Sequence, residues 1–134
     1  MEQPHVISTE ALAAHLASGD VRVVDGTFII GGDATPGHFE KRIPGAVFYD
    51  VRVIKNAASA VPLETPTLEQ FTQFMRQLGL PNDDKLVVVY DQTGFFAAPR
   101  VWLTLKYFGF SNVKVLDGGL PKWVAEGREV TSGE

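Results

Sequence analysis

The residue best placed to do chemistry is Asp91. It ends the run Val87-Val88-Val89-Tyr90 and leads into Gln92-Thr93-Gly94-Phe95-Phe96-Ala97. A short apolar run bounded by charged residues suits a strand buried on both faces. In sheets of parallel strands, ligands bind beyond the carboxyl ends. A helix beginning near Ala97 would turn its free N–H groups toward that point and favour negative charge there. Two chemistries fit an aspartate so placed. One is a fixed carboxylate that occupies an anion-favouring cradle. The other is an aspartyl nucleophile for phosphoryl transfer. That second chemistry asks for another acid two positions on, to hold magnesium and move a proton, and position 93 is threonine.

The other candidates point to structure more than to catalysis. Asp25 ends a second apolar run and is expected to cap the following turn or pair with an arginine. His5, His15 and His38 are far apart on different elements. They are expected to be solvated rather than to converge on a metal, since a zinc site needs converging ligands. No cysteine is present, which excludes disulfides, thiolate metal sites and cysteine nucleophiles. Gly118-Gly119 lacks the Lys-Ser/Thr of a phosphate loop and is expected to be a tight turn. Phe95 and Phe96 are adjacent large aromatics in a loop, a pairing expected to meet a partner surface. Arg100 and Lys106 follow on the next helix and face either that partner or solvent. Trp102 and Trp123 are expected in the core or at an inter-domain contact.

Alternating elements must position these residues. Ser8 is a good N-cap for a helix over about Thr9 to Ala17, which Gly19 stops. Val21 to Asp25 reads as a strand. Pro36 to Lys41 forms one or two helical turns, Arg42-Ile43-Pro44-Gly45 a turn, and Ala46 to Tyr49 a strand. Asn56 to Pro66 is a surface loop. Thr67 and Gln70 fit a capping box, followed by Leu68, Phe71, Phe74, Met75 and Leu78 on one helical face up to Gly79. Leu86 to Tyr90 is a strand, Ala97 to Phe108 a helix with Pro99 in its first turn, Val113 to Leu116 a strand, and Pro121 to Ala125 a helix. The order predicts one α/β domain around a parallel sheet covered on both faces. The polar stretch 128–134 reads as the start of a linker, so the domain is expected to span residues 1–127.

Composition agrees with one globular domain: 134 residues, of which 45% are hydrophobic. A formal net charge of −4 gives no footprint for a nucleic-acid partner. No apolar run reaches the ~20 residues of a membrane helix. Met1-Glu2-Gln3-Pro4 has neither a basic start nor an apolar core of a secretion signal, so the expected location is cytoplasmic or mitochondrial and not secreted.

Three stretches carry a resemblance. Val87 to Phe108, the run Asp117-Gly118-Gly119-Leu120-Pro121-Lys122-Trp123, and Asp25 with the later turn Arg42-Ile43-Pro44-Gly45-Ala46 resemble a rhodanese domain in order and spacing. Ala98-Pro99-Arg100-Val101-Trp102 and the tail from Glu126 resemble the N-terminal, non-catalytic domain of tandem thiosulfate or 3-mercaptopyruvate sulfurtransferases. The resemblance implies a three-layer α/β fold with about five parallel strands. In catalytic members a cysteine stands where Asp91 stands here, and the loop equivalent to the active-site loop is Asp91, Gln92, Thr93, Gly94, Phe95 and Phe96. A carboxylate cannot form a persulfide, so the implied role is support of a second, catalytic rhodanese domain in the same polypeptide. Phe95, Phe96 and Arg100 are the implied inter-domain contacts. No cofactor, metal, nucleic acid or membrane is implied. Arg42 departs from the family, which often has histidine there. A stand-alone binding module is the alternative.

Overall fold

The computed structural model describes residues 5–61, 63–94 and 96–133. Ten elements follow in chain order: β1 (Val6–Ile7), α1 (Thr9–Ser18), β2 (Val21–Asp25), α2 (Thr35–Glu40), β3 (Val47–Phe48), α3 (Leu68–Leu78), β4 (Leu86–Tyr90), α4 (Ala98–Tyr107), β5 (Val113–Leu116) and α5 (Gly119–Ala125). The five strands form one parallel sheet in the order β1-β5-β4-β2-β3. Every residue of the central β4 is buried, which is why its sequence is apolar throughout rather than alternating.

Successive side chains of a strand point to opposite faces, and β4 divides its residues accordingly. Val87 and Val89 join a core with Phe71 and Met75 of α3 and Val101 and Leu105 of α4. Leu86, Val88 and Tyr90 join a second core with Leu12 of α1 and Leu120 and Trp123 of α5. The expected three-layer α/β architecture is therefore present.

Local signals account for most boundaries. The Ser8 side chain accepts from Ala11 N, and Gly19 closes α1 with φ 71°. Thr67 and Gln70 form both bonds of the capping box. Leu68, on the apolar face of α3, stays 65% exposed although Phe71 and Met75 of the same face are buried. The strand β1 was not expected. It has only two residues, too few to show a period, and it forms because Val6 and Ile7 pair with Val115 and Leu116 at the sheet edge. The helix α5 starts at Gly119, two residues before the expected Pro121.

The stretch 128–133, read as the start of a linker, lies against the domain. Arg42 and Thr131 exchange both backbone hydrogen bonds, 2.9 and 2.8 Å. Trp123 Nε1 donates to Glu129 O at 2.7 Å, and the Arg128 guanidinium lies 5.6 Å over the Trp123 ring.

Candidate functional site

The site forms at the carboxyl ends of β2 and β4, which are neighbours in the sheet. Each strand leads into a buried aspartate, Asp25 or Asp91, both fully enclosed. Each aspartate is followed two residues later by a threonine that donates twice to it. Asp25 Oδ1 accepts from Thr27 N and Oγ1 at 3.1 and 2.5 Å. Asp91 Oδ1 accepts from Thr93 N and Oγ1 at 3.1 and 3.0 Å.

The second oxygen of Asp91 meets α4. It accepts from Ala97 N at 2.7 Å and Ala98 N at 3.0 Å. This explains how α4 starts on Ala97, a residue whose side chain offers no cap. Pro99 has no N–H to satisfy, and Arg100 N already donates to Ala97 O. The open donors of the first turn are thus paired by a carboxylate six residues upstream, through charge-assisted bonds at the positive end of the helix. The anion-favouring cradle exists, and residue 91 itself fills it.

The second oxygen of Asp25 meets different partners. It accepts from Gln92 Nε2 at 3.0 Å and contacts His38 Nδ1 at 2.9 Å. Gln92 Nε2 also donates to Ala34 O, and Gln92 N donates to Thr27 Oγ1. The turn is capped as expected, but the partner is not an arginine. His38, expected in solvent, is only 4% exposed. It is enclosed because it stacks on Phe48 at 5.2 Å and because the Asp25 carboxylate satisfies its Nδ1. Asp25 also acts at a distance on Tyr90, whose hydroxyl is pushed well above its ordinary pKa, first by burial and then by this neighbouring negative charge.

Gly119 closes the site from β5. A β-carbon there would stand 2.5 Å from Gly94 O and 2.7 Å from Asp91 O, and the Leu120 N–H donates to Asp91 O at 3.0 Å. The Gly-Gly pair is thus a close-approach point as well as a turn. The amino-acid string carries a usable signal for the two aspartates, since Asp-x-Thr follows two separate apolar runs. It gave none for the convergence of His38, Gln92 and Gly119.

The remaining expected residues separate. Phe96 is 60% exposed. Phe95 lies outside the described residues. Arg100 Nη2 donates to Leu63 O, and Lys106 Nζ donates to Ser111 O at 3.1 Å. Trp102 is half-buried and donates to Val113 O, while Trp123 is in the core. His5 lies against the edge of Trp102, and His15 bonds Asp20.

Known proteins are similar to this chain in sequence and in fold. Thiosulfate/3-mercaptopyruvate sulfurtransferase 1, mitochondrial, of Arabidopsis thaliana is 38% identical over 130 residues, covering 95% of this chain and 34% of its own length. Thiosulfate sulfurtransferase of Bos taurus is 37% identical over 135 residues, covering 95% of this chain and 45% of its own. The crystal structure of the 3-mercaptopyruvate sulfotransferase SseA from Escherichia coli superposes with TM-score 0.91 at 30% identity, over 98% of this chain and 51% of that one. The chain therefore spans about a third to a half of the length of these three proteins. Residues 8–126 match the model of the rhodanese-like domain, and the chain belongs to that family.

Proposed function

We propose that this chain is a non-catalytic rhodanese-like domain that supports a sulfurtransferase using thiosulfate or 3-mercaptopyruvate. One observation carries the reading: the Asp91 carboxylate takes four donors in the cradle where a sulfur carrier would sit. Sulfur transfer needs a thiolate that takes the sulfur, releasing sulfite from thiosulfate or pyruvate from 3-mercaptopyruvate, and holds it as a persulfide until an acceptor removes it. A carboxylate oxygen cannot take that part, and the chain has no cysteine elsewhere.

The partner in this reading is a second rhodanese domain of the same polypeptide, bearing the cysteine. The names of the relatives support the substrate class, and their two- to threefold greater length leaves room for that domain. The exposed Phe96, next in the chain to the cradle residue Ala97, and Arg100, farther along α4 with its guanidinium on Leu63 O, are the contacts assigned to it. The compartment is cytoplasm or mitochondrion, the latter being that of the Arabidopsis relative. Among the described residues no helix is long and apolar enough to cross a membrane.

The test is thiocyanate formation from thiosulfate and cyanide by the purified 134-residue chain. The expected rate is that of buffer alone, and a rate above it overturns the reading. The variant Asp91→Cys is expected to gain a labile thiol with little turnover. Intact-mass measurement after thiosulfate treatment reads the adduct, and no persulfide on that variant would show that residue 91 does not stand in a persulfide-holding cradle.

A further inference from the structure

At the other end of the sheet, before β4 and β5, lies a groove of about 690 Å³ between α3 and the turns that follow α3 and α4. Its volume falls in the range of small-molecule sites. The floor is aromatic. Phe71 and Phe108 stack with centroids 4.2 Å apart, and Phe110 meets Phe71 edge-on at 6.1 Å. Leu68, the apolar residue of α3 left outside the core, stands on the rim at 65% exposure.

The polar groups of the lining narrow the ligand. The Thr72 hydroxyl donates to Leu68 O at 2.8 Å, and the Asn82 side chain donates to Gly109 O at 3.1 Å. The N–H groups of Gly79, Leu80, Phe108 and Phe110 are bonded to Arg76 O, Met75 O, Thr104 O and Leu105 O. Pro81 has none. No carboxylate lines the groove, and its single charged side chain is Arg76, whose guanidinium has no partner among the described residues. We infer that the groove binds a small apolar carboxylate, such as an aryl alkanoate, with its ring against the partly exposed Phe108 and Leu68, over the buried Phe71 and Phe110, and its carboxylate on Arg76. Aromatic surface favours an aromatic body. The fork of the guanidinium matches a carboxylate. The formal net charge of −4 opposes anions in general, so the preference is local to Arg76 and is weakened by salt.

The probes are 4-phenylbutyrate and 4-phenylbutanol, which share a body and differ in charge. They are titrated into the 15N-labelled 134-residue chain and followed by amide shifts. The acid is expected to shift Gly79, Leu80 and the amides of 108–110 and to bind roughly three- to fivefold more tightly than the alcohol, the size of one exposed ion pair. Arg76→Gln is expected to abolish that ratio while the alcohol binds as before, and added salt to reduce it. The inference is overturned by equal binding of acid and alcohol to the parent, by shifts that map to the Asp91 end, or by an unchanged ratio in Arg76→Gln. It is overturned as well if Leu68→Ser alters only the concentration dependence of sedimentation, because the groove is then an interface between copies of the chain.

Discussion

The side-chain amide of Gln92 crosses the backbone of Gly37 so closely that a β-carbon on Gly37 would stand 2.1 Å from Gln92 Oε1. That passage lets the loop after β4 reach Asp25, below α2. In Gly37→Ala, Gln92 swings away and loses its bonds to Asp25 and Ala34 O. The expected cost is about 1–2 kcal/mol, and Gln92→Ala costs a similar amount. The double variant is expected to cost little more than either single one, with a coupling of about 1 kcal/mol. Urea unfolding of the four proteins measures it, and additive costs would mean that the two residues do not act through one contact.

Asp91 holds the start of α4, so its removal leaves the buried N–H groups of Ala97 and Ala98 without their carboxylate acceptor, and the more exposed donors of Thr93 must turn to water. Asp91→Ala is expected to cost about 3 kcal/mol. Asp91→Asn keeps one acceptor oxygen but turns an amide N–H toward donors, and is expected to cost about 2 kcal/mol. An unfolding free energy of Asp91→Ala within about 0.5 kcal/mol of the parent, the usual range for surface changes, would refute the capping role.

The two glycines before Leu120 differ in what a methyl group would meet. At Gly119 it meets backbone oxygens of residues 91 and 94, whereas at Gly118 it meets Lys122 Cβ and Cδ, both 2.6 Å away, of which Cδ can swing and Cβ yields only with a small shift of the first turn of α5. Both have positive φ, 57° and 81°, so both alanine variants carry the left-handed penalty of about 1–2 kcal/mol. Gly119→Ala is expected to add overpacking, for about 3 kcal/mol in all. Thermal melts of the two variants check the order, which should place Gly119→Ala lower.

Alkali provides a separate test. Burial raises the hydroxyls of Tyr49 and Tyr90 well above the ordinary value of 10.0. A pKa raised in the folded state contributes stability that is complete below the unfolded value and is lost as pH rises above it. Stability is therefore expected to fall above about pH 10. The tyrosinate absorbance of these two residues should appear only together with loss of circular dichroism. Tyr49→Phe should make the alkaline decline shallower. Full tyrosinate absorbance with an intact folded spectrum would contradict the burial of both rings.

Sequence made the architecture legible wherever an element carried its own signal. The run Leu86–Tyr90, the cap pair Thr67 and Gln70, and the stop at Gly19 each act within a few residues. Two-residue strands do not, because β1 exists only through its pairing with β5. The site was half legible for the same reason. Asp91 and its loop stand in one stretch, and the turn bonds from Thr93 and Thr27 are local. The seat of His38 depends on Asp25, 13 residues away, and on stacking against Phe48. A lone polar histidine in a string of letters looks solvated until the fold supplies an acceptor for it. The polar composition of the tail likewise hides its main-chain pairing with Arg42.

A loop that carries its own permanent anion is deaf to dissolved ones. Because the Asp91 carboxylate is covalently part of the chain, no change in the concentration of sulfate, phosphate or sulfite can fill or empty that place. The start of α4 therefore keeps one geometry across ionic conditions, as a hinge pin does and a switch does not.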